Sequence, residues 1–487
     1  MAFSSIEFLL FFLPIFFILY GLTPNRYKNI TLLVGSIVFY TLGELRYLPL
    51  LAVSVVVNYF VGRFLGAGVD DKNKSKNKNK VKGRNKSKNG RNYETWYREA
   101  NRREWRKAVL FFALMGNLGT LLVFKSAVAE KALPLGLSFY TFQIVSYLID
   151  VHRRDVPAER SFVKFATYIT MFPKLISGPI VNYGEVSGAL DNRRMSWRNV
   201  QHGLKLFTLG LAAKVLLADR MGYLWNDVQV RGFESISTPL AWLGALAFSL
   251  NIYFDFYGYS LMAMGLGRMM GFSLPDNFRT PYMARSVRDF YRRWHMTLGR
   301  WFCDYVYIPL GGNRRGELCT VRNLLIVWAL TGLWHGGRGN FLLWGILLWA
   351  LIVIERQVQT FLERHPVGGQ SIGKQLLIVP HLYLWTVIPV TWMCFAITDV
   401  RELFVYLGRM FGAAPQYMVL RNDWLRALQT YGGLFAFSVF ACTPFIRRVY
   451  RRFRDSMLMN ILLAVLFWIC VWRIMVEGNN PFMYSGF

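Results

Sequence analysis

From Leu324 to Ala350 the chain reads LLIVWALTGLWHGGRGNFLLWGILLWA. It is apolar on both sides of Trp334-His335-Gly336, and the only other ionisable group in the run is Arg338. A charge centred in the bilayer costs about 2.5–3.5 kcal/mol on insertion scales, so such residues line cavities, relays or reaction sites. Histidine suits a reaction site because its pKa lies near neutrality. As a general base and then acid it is worth about 10²–10⁴ in rate. The chain has 6 histidines. Another of them, His295, lies upstream in a strongly basic segment. The pair reads as the reaction centre of an enzyme that works inside the bilayer.

Composition agrees with a membrane setting. Of 487 residues, 54% are hydrophobic and 17% charged, against about 25% charged in soluble domains. Apolar runs of spanning length recur along the chain. They are too long and too continuously apolar for barrel strands, and a backbone in lipid must satisfy its own hydrogen bonds. The expected fold class is therefore an all-α polytopic membrane protein. The net charge of +29 suggests nucleic acid, but the basic residues crowd into loops between apolar segments, as the positive-inside rule requires. Membrane lipids, not nucleic acid, are the expected partner of that charge. Cys303, Cys319, Cys394, Cys442 and Cys470 are scattered, without zinc-ligand spacing or a disulfide framework, and no metal is expected. Met1 to Ser5 lacks the basic flank of a secretory signal, and no small-residue cleavage site follows Tyr20, so the first apolar run is expected to be retained.

Three parts follow along the chain. Residues 1–66 hold N-terminal spans near 6–22, 29–42 and 47–66, the second of them short. Residues 67–107 form a basic loop. Its first part, from Asp70 to Asn92, is Lys/Asn-rich and too polar to bury a core. Its second part, Tyr93 to Lys107, mixes aromatics with arginines and predicts a surface helix at the headgroups. So lysine-rich a loop belongs in the cytoplasm, which puts the N-terminus outside. Arg26 and Lys28, and likewise His152-Arg153-Arg154, then also fall inside. Residues 108–487 form the core, with spans near 108–125, 132–149, 200–218, 237–256, 322–337, 341–356, 376–397, 430–446 and 458–476. Phe162 to Val181 is apolar but carries Pro173, Gly178 and Pro179. Such a backbone is tolerated at membrane depth where protein buries it or it lines a cavity, so 162–182 reads as re-entrant.

Arg279 to Gly316 differs from the rest. Phe290, Trp294, Leu298 and Trp301 recur at helical steps and make one apolar stripe; Arg285, Arg288 and Arg292 make a basic row. The spacing predicts an amphipathic helix, not a span, ended by the turn residues from Tyr307 to Arg315. Such a helix can dock on lipid headgroups or hold an anionic donor such as a phosphopantetheine carrier or coenzyme A. Nucleophile elbows, zinc-protease motifs and phosphate loops are missing from the sequence. Lys205 and Lys214 are expected to snorkel. Asp255, flanked by aromatics, is expected to shape the cavity.

These motifs resemble the membrane-bound O-acyltransferase family in its bacterial, alginate O-acetyltransferase-like branch. The resemblance is carried by Pro134 to Gln143, Phe172 to Ile180, Tyr253 to Ser260, Gly265 to Arg268, Pro275-Asp276-Asn277-Phe278, Arg292-Arg293-Trp294-His295, Asp304 to Asn313, Leu330 to Gly336 and Asn480-Pro481-Phe482. The family pattern is departed from at Tyr257, Leu261 and Cys303. The resemblance implies about 11 transmembrane helices, with re-entrant elements near 162–182 and 285–316, around a central tunnel in a bacterial cell membrane. It implies that His335 is the catalytic histidine and His295 the second histidine, on the cytoplasmic side. An acyl group, in this branch acetyl, would move from a cytoplasmic thioester to hydroxyls of an extracellular polysaccharide, directly or through a secreted or membrane-anchored acyltransferase partner. Acetyl-coenzyme A or an acyl carrier protein would be the co-substrate, with no bound cofactor. Arg292, Arg293 and Arg300 are expected beside the donor with Trp294. Trp334 is expected to wall the tunnel, and Asp304 and Asn313 to hold the re-entrant turn. The rival readings are D-alanyl transfer to teichoic acid by the same fold, and a glycan or lipid transporter without acyl chemistry. The transporter predicts inverted repeats and midplane charges, and the sequence carries no evident repeat.

Overall fold

The computed structural model describes residues 1–67, 93–126, 133–364, 379–413, 419 and 422–478, and among these it is all-helical. The Lys/Asn-rich block from Asp70 to Asn92 and the motif Asn480-Pro481-Phe482 lie outside the described residues. In chain order the helices are α1 (Leu13–Leu22), α2 (Lys28–Glu44), α3 (Leu48–Gly66), α4 (Tyr93–Lys125), α5 (Leu137–Arg153), α6 (Phe162–Thr170), α7 (Phe172–Leu175), α8 (Tyr183–Asp191), α9 (Trp197–Ala212) and α10 (Asp219–Arg231). There follow α11 (Thr238–Met269), α12 (Val287–Arg293), α13 (Met296–Phe302), α14 (Glu317–His335), α15 (Gly339–Arg364), α16 (Val379–Ala396), α17 (Val400–Met410), α18 (Asp423–Ala441), α19 (Pro444–Phe453) and α20 (Met457–Glu477).

Among the described residues, 6 helical stretches are long and apolar enough to cross a membrane. Their burial sorts them. Of the most apolar window in Thr238–Met269, 78% is buried in protein, against 6% in Asn101–Lys125. The central helix α11 can therefore carry Asn251, Asp255 and Ser260, because neighbouring segments supply their partners Ala218, Lys214 and Asn277. The outer helix α4 faces outward with Phe111, Phe112 and Val123.

Contacts order the helix ends. At one end Tyr20 of α1 donates to the Met270 carbonyl at 3.0 Å. There Thr167 of α6 donates to the Asn29 carbonyl, Arg106 of α4 reaches the His152 carbonyl, and Arg153 of α5 reaches the Asp304 carbonyl. At the other end Glu44 accepts from the Leu135 amide, Lys125 lies 5.2 Å from the Trp334 ring, and Asp423 accepts from the Ser237 amide. At this second end Arg220 and Arg473 pair with Glu477, and Arg231 pairs with Asp227. The first end, holding Arg106, Arg153, Arg193 and the arginines of α12, is the basic one.

Several local expectations are revised. Tyr93 to Lys107 is not a separate surface helix but the first half of one continuous helix, α4. The span expected to end at 256 runs on to Met269, because Gly258 and Gly265 let α9 and α11 touch backbone to backbone; a Cβ on Gly265 would sit 2.5 Å from the Gly203 carbonyl. The segment expected at 430–446 is α18, ended before Pro444 opens the separate α19. Lys214 does not snorkel. It is buried on a wide turn at Ala213–Ala218, paired with Asp219 at 2.5 Å and with Asp255 at 2.9 Å. Lys205 is also buried, donating to the Arg454 carbonyl.

The interrupted segment is broken and enclosed by protein. α6 and α7 break at Met171, the chain from Ser177 to Val181 is non-helical, and every residue from Phe165 to Val181 is buried. Its backbone finds protein partners: the Phe172 amide donates to Ser36 and the Ile180 amide to Thr297.

Candidate functional site

The apolar stripe of the basic segment is realised. Phe290, Trp294, Leu298 and Trp301 are all buried. The helix itself is not continuous. It breaks between α12 and α13 at His295, whose φ of 44° is left-handed. A non-glycine residue held there needs surrounding structure to fix it. Asn277 does so. Its backbone carbonyl accepts from the Met296 amide at 2.9 Å, and its Oδ1 accepts from the Thr297 amide and the Thr297 hydroxyl at 3.3 and 3.0 Å.

The same Oδ1 lies 3.1 Å from His295 Nδ1. Because Oδ1 accepts from a backbone N–H, that atom is the amide oxygen, and its Nδ2 donates to Ser260 at 3.2 Å. An oxygen demands a donor from the imidazole, so His295 carries its proton on Nδ1 and the acceptor nitrogen is Nε2. The ring meets Phe256 edge-on at 4.7 Å and lies 6.1 Å from Trp334.

His335 ends α14 and is buried at 3% exposure. The turn after it returns as α15, and the two helices cross in contact. A Cβ on Gly332 would stand 2.4 Å from the Phe341 carbonyl, and one on Gly345 2.4 Å from the Trp328 carbonyl. Only glycine permits that approach. The imidazole is boxed by Trp344 at 5.2 Å and Phe395 at 4.9 Å, both edge-on.

A cavity of about 720 Å³ joins the two histidines to the basic end. Of the residues expected at the site, His335, His295, Trp294, Arg292, Arg300 and Asn313 line it. Arg293 does not; it turns back to Asp289 at 2.9 Å. Trp334 lies behind the lining, stacked on Phe142 at 5.5 Å, and Phe142 in turn stacks on Trp301 at 4.1 Å. Asp304 contributes its carbonyl to Arg153. Asn313 is exposed at the mouth, and the turn is held instead by Asn323, which donates to the Gly312 carbonyl at 2.9 Å.

Charge at the mouth is unbalanced. Arg300 is held by Glu185 through two bonds of 2.7 and 3.0 Å. Arg288, Arg292 and Arg356 also line the cavity. Burial first, then the charges of Arg292 and Arg356, hold the Arg288 guanidinium below its usual pKa. Among the described residues Arg288 and Arg292 form no ion pair within 4.0 Å. Crowded guanidinium groups of this kind favour a bound anion. Among the described residues no His/Cys/Asp/Glu cluster could hold a metal.

Sequence reasoning named Arg288 only as part of a row and gave Asn277, Asn323 and Arg356 no role. Asn277 stood in a quoted motif, but its partners lie across a loop, and spacing cannot report such a contact.

Residues 105–397 match the membrane-bound O-acyltransferase family. A Pseudomonas putida protein named "Probable alginate O-acetylase" is 32% identical over 509 aligned positions, covering 100% of both chains. A Helicobacter pylori "Peptidoglycan O-acetyltransferase" is 31% identical, over 85% of this chain and 80% of its own. A Bacillus subtilis "Teichoic acid D-alanyltransferase" is 27% identical, over 44% of this chain and 56% of its own.

Proposed function

The chain belongs to the membrane-bound O-acyltransferase family, and from that membership we propose that it moves an acetyl group from a cytoplasmic thioester to hydroxyls of an extracellular polysaccharide. The observation that carries this reading is one cavity that runs from Arg288 and Arg292, which form no ion pair among the described residues, to two buried histidines. The basic end faces the cytoplasm, as the positive-inside rule directs, and the N-terminus lies outside. About 11 helices cross the membrane, and 162–182 and 285–316 are re-entrant. The cell membrane of a bacterium is its site.

The donor's phosphates rest on Arg288, Arg292 and Arg356, and its thioester reaches inward past Tyr291 and Trp328. Trp294 packs the wall next to His295. The acceptor hydroxyl approaches His335 from the side opposite the arginines and would complete a tunnel. His335 takes the hydroxyl proton as the oxygen attacks the thioester carbonyl. The C–S bond breaks, and the imidazolium returns the proton to the leaving thiolate. His295, with Nε2 as its acceptor, orients the donor or shares that proton. The acceptor is the glycan itself or a secreted or membrane-anchored acyltransferase that passes the group on. Acetyl-coenzyme A or an acyl carrier protein is the co-substrate.

The test is purified protein in vesicles supplied with labelled acetyl-coenzyme A or with a D-alanyl carrier protein. Label from the acetyl donor alone is expected on the acceptor; label from the D-alanyl carrier alone would replace the acetyl reading. In the same assay Arg288→Gln with Arg292→Gln should raise the donor KM about tenfold with kcat nearly kept, the loss of one or two charge-assisted bonds. A fall in kcat at unchanged KM would remove the arginines from donor binding.

Asn277 is a positioning residue in this scheme. Asn277→Leu should lower kcat about 10- to 100-fold at nearly constant KM, since it leaves a buried imidazole donor unpaired. Asn277→Asp keeps the acceptor, stabilises the imidazolium and should move the acid limb of the pH–rate profile upward. A profile that stays put in Asn277→Asp would leave Asn277 a merely structural role.

A further inference from the structure

We propose that Lys28 and Arg193 form a binding site for a phosphate group at the membrane boundary, distinct from the cavity of the histidines. Lys28 opens α2, immediately after the turn from α1, and Arg193 stands in the link between α8 and α9. The turn joins two apolar helices, so it lies at the edge of the apolar layer. Both cations rest on one ring: Lys28 Nζ is 5.2 Å and Arg193 Cζ 5.8 Å from the Tyr20 centroid. Arg193 also lies 4.6 Å from the Phe272 ring.

The guanidinium is fixed before any ligand arrives. Its Nε donates to the Tyr20 hydroxyl at 2.7 Å, and its Nη1 donates to Asn29 Oδ1 at 2.5 Å and to the Ala189 carbonyl at 3.2 Å. The Tyr20 hydroxyl in turn donates to the Met270 carbonyl. Arg193 is 7% exposed and Lys28 5%, yet among the described residues Arg193 Nη2 has no acceptor. No carboxylate among the described residues pairs with either cation; the near neighbour Asp191 is taken by Lys164.

Two cations enclosed by protein and uncompensated are costly unless an anion joins them. Arginine's planar fork and weak hydration suit a phosphate, and a phosphate at headgroup depth meets this boundary. An adjoining pocket of about 230 Å³ shares Phe272 with the Arg193 stack and is lined by Asn199, Arg268, Ser273 and Leu274. It offers room, part polar and part apolar, for the remainder of the molecule. The phosphate could belong to a lipid headgroup or to a soluble ester, and the experiment separates them.

The full-length protein in detergent is followed by thermal unfolding with phosphatidylglycerol, with diacylglycerol of the same chains, and with inorganic phosphate. Phosphatidylglycerol is expected to raise the wild-type midpoint by several degrees, by mass action on the folded state, and diacylglycerol is not. Lys28→Gln should lose at least half of the rise. It is the decisive variant because it removes charge at the first residue of a helix and breaks no side-chain hydrogen bond among the described residues. Arg193→Gln should lose more, and Arg193→Lys part of it. A rise with inorganic phosphate that Lys28→Gln also loses assigns the site to soluble phosphate. An equal response from diacylglycerol, or a Lys28→Gln response like that of the wild type, overturns the proposal. The readout is ligand-induced stability, so it is independent of acyl transfer.

Discussion

Membranes carrying His335→Ala should transfer acyl groups about 10²–10⁴-fold more slowly than wild type at equal protein level, the usual worth of a positioned general base. The size follows from the setting. His335 is 3% exposed, boxed by Trp344 and Phe395, and reached through the cavity. Alanine would leave that box in place and remove only the proton carrier, so donor binding at the mouth arginines should survive. Donor KM within about threefold of wild type, with kcat collapsed, is the expected split; it marks an interaction made only in the transition state. Acetyl content of the polysaccharide from such cells, set against immunoblotted protein, is the cellular readout. Near-normal acetylation in His335→Ala would falsify the catalytic assignment.

The helical character and the existence of a basic segment unlike the spans were legible because each is a local property. Helical spacing marks Phe290, Trp294, Leu298 and Trp301 as one face, and all are buried. The break at His295 was not legible. A left-handed histidine is imposed by Asn277 through bonds to Met296, Thr297 and the ring itself, and no spacing rule reports bonds across a loop. Lys214 failed for a related reason. A lone lysine in an apolar helix looks like a snorkeller until its neighbours are known, and Asp255 comes from a helix remote in sequence. Arg293 stands next to Arg292 in its motif, and adjacency carries no information on which of the two turns back to its own helix. The arginines lining the mouth come from α12, α13 and α15, and only folding brings Arg288 beside Arg356.

The buried ion cluster leads to the second large effect. Lys214→Met should destabilise the folded protein by about 3–5 kcal/mol, because removing one partner strands buried opposite charge. Here the stranded groups are Asp219 and Asp255, whose side chains are 16% and 2% exposed. The damage should reach the site. Asp255 precedes Phe256, which packs on His295 at 4.7 Å, and Ser260, one turn on, accepts from Asn277. A loosened α11 therefore frees both the ring and the residue that sets its tautomer. Lys214→Met combined with Asp219→Asn and Asp255→Asn removes the whole cluster and should recover most of the loss, since replacing a buried ion group entire is often close to neutral. Unfolding midpoints of the single and triple variants in one detergent decide the matter. Equal midpoints for wild type and Lys214→Met would mean that water reaches the cluster and that the charges are not enclosed.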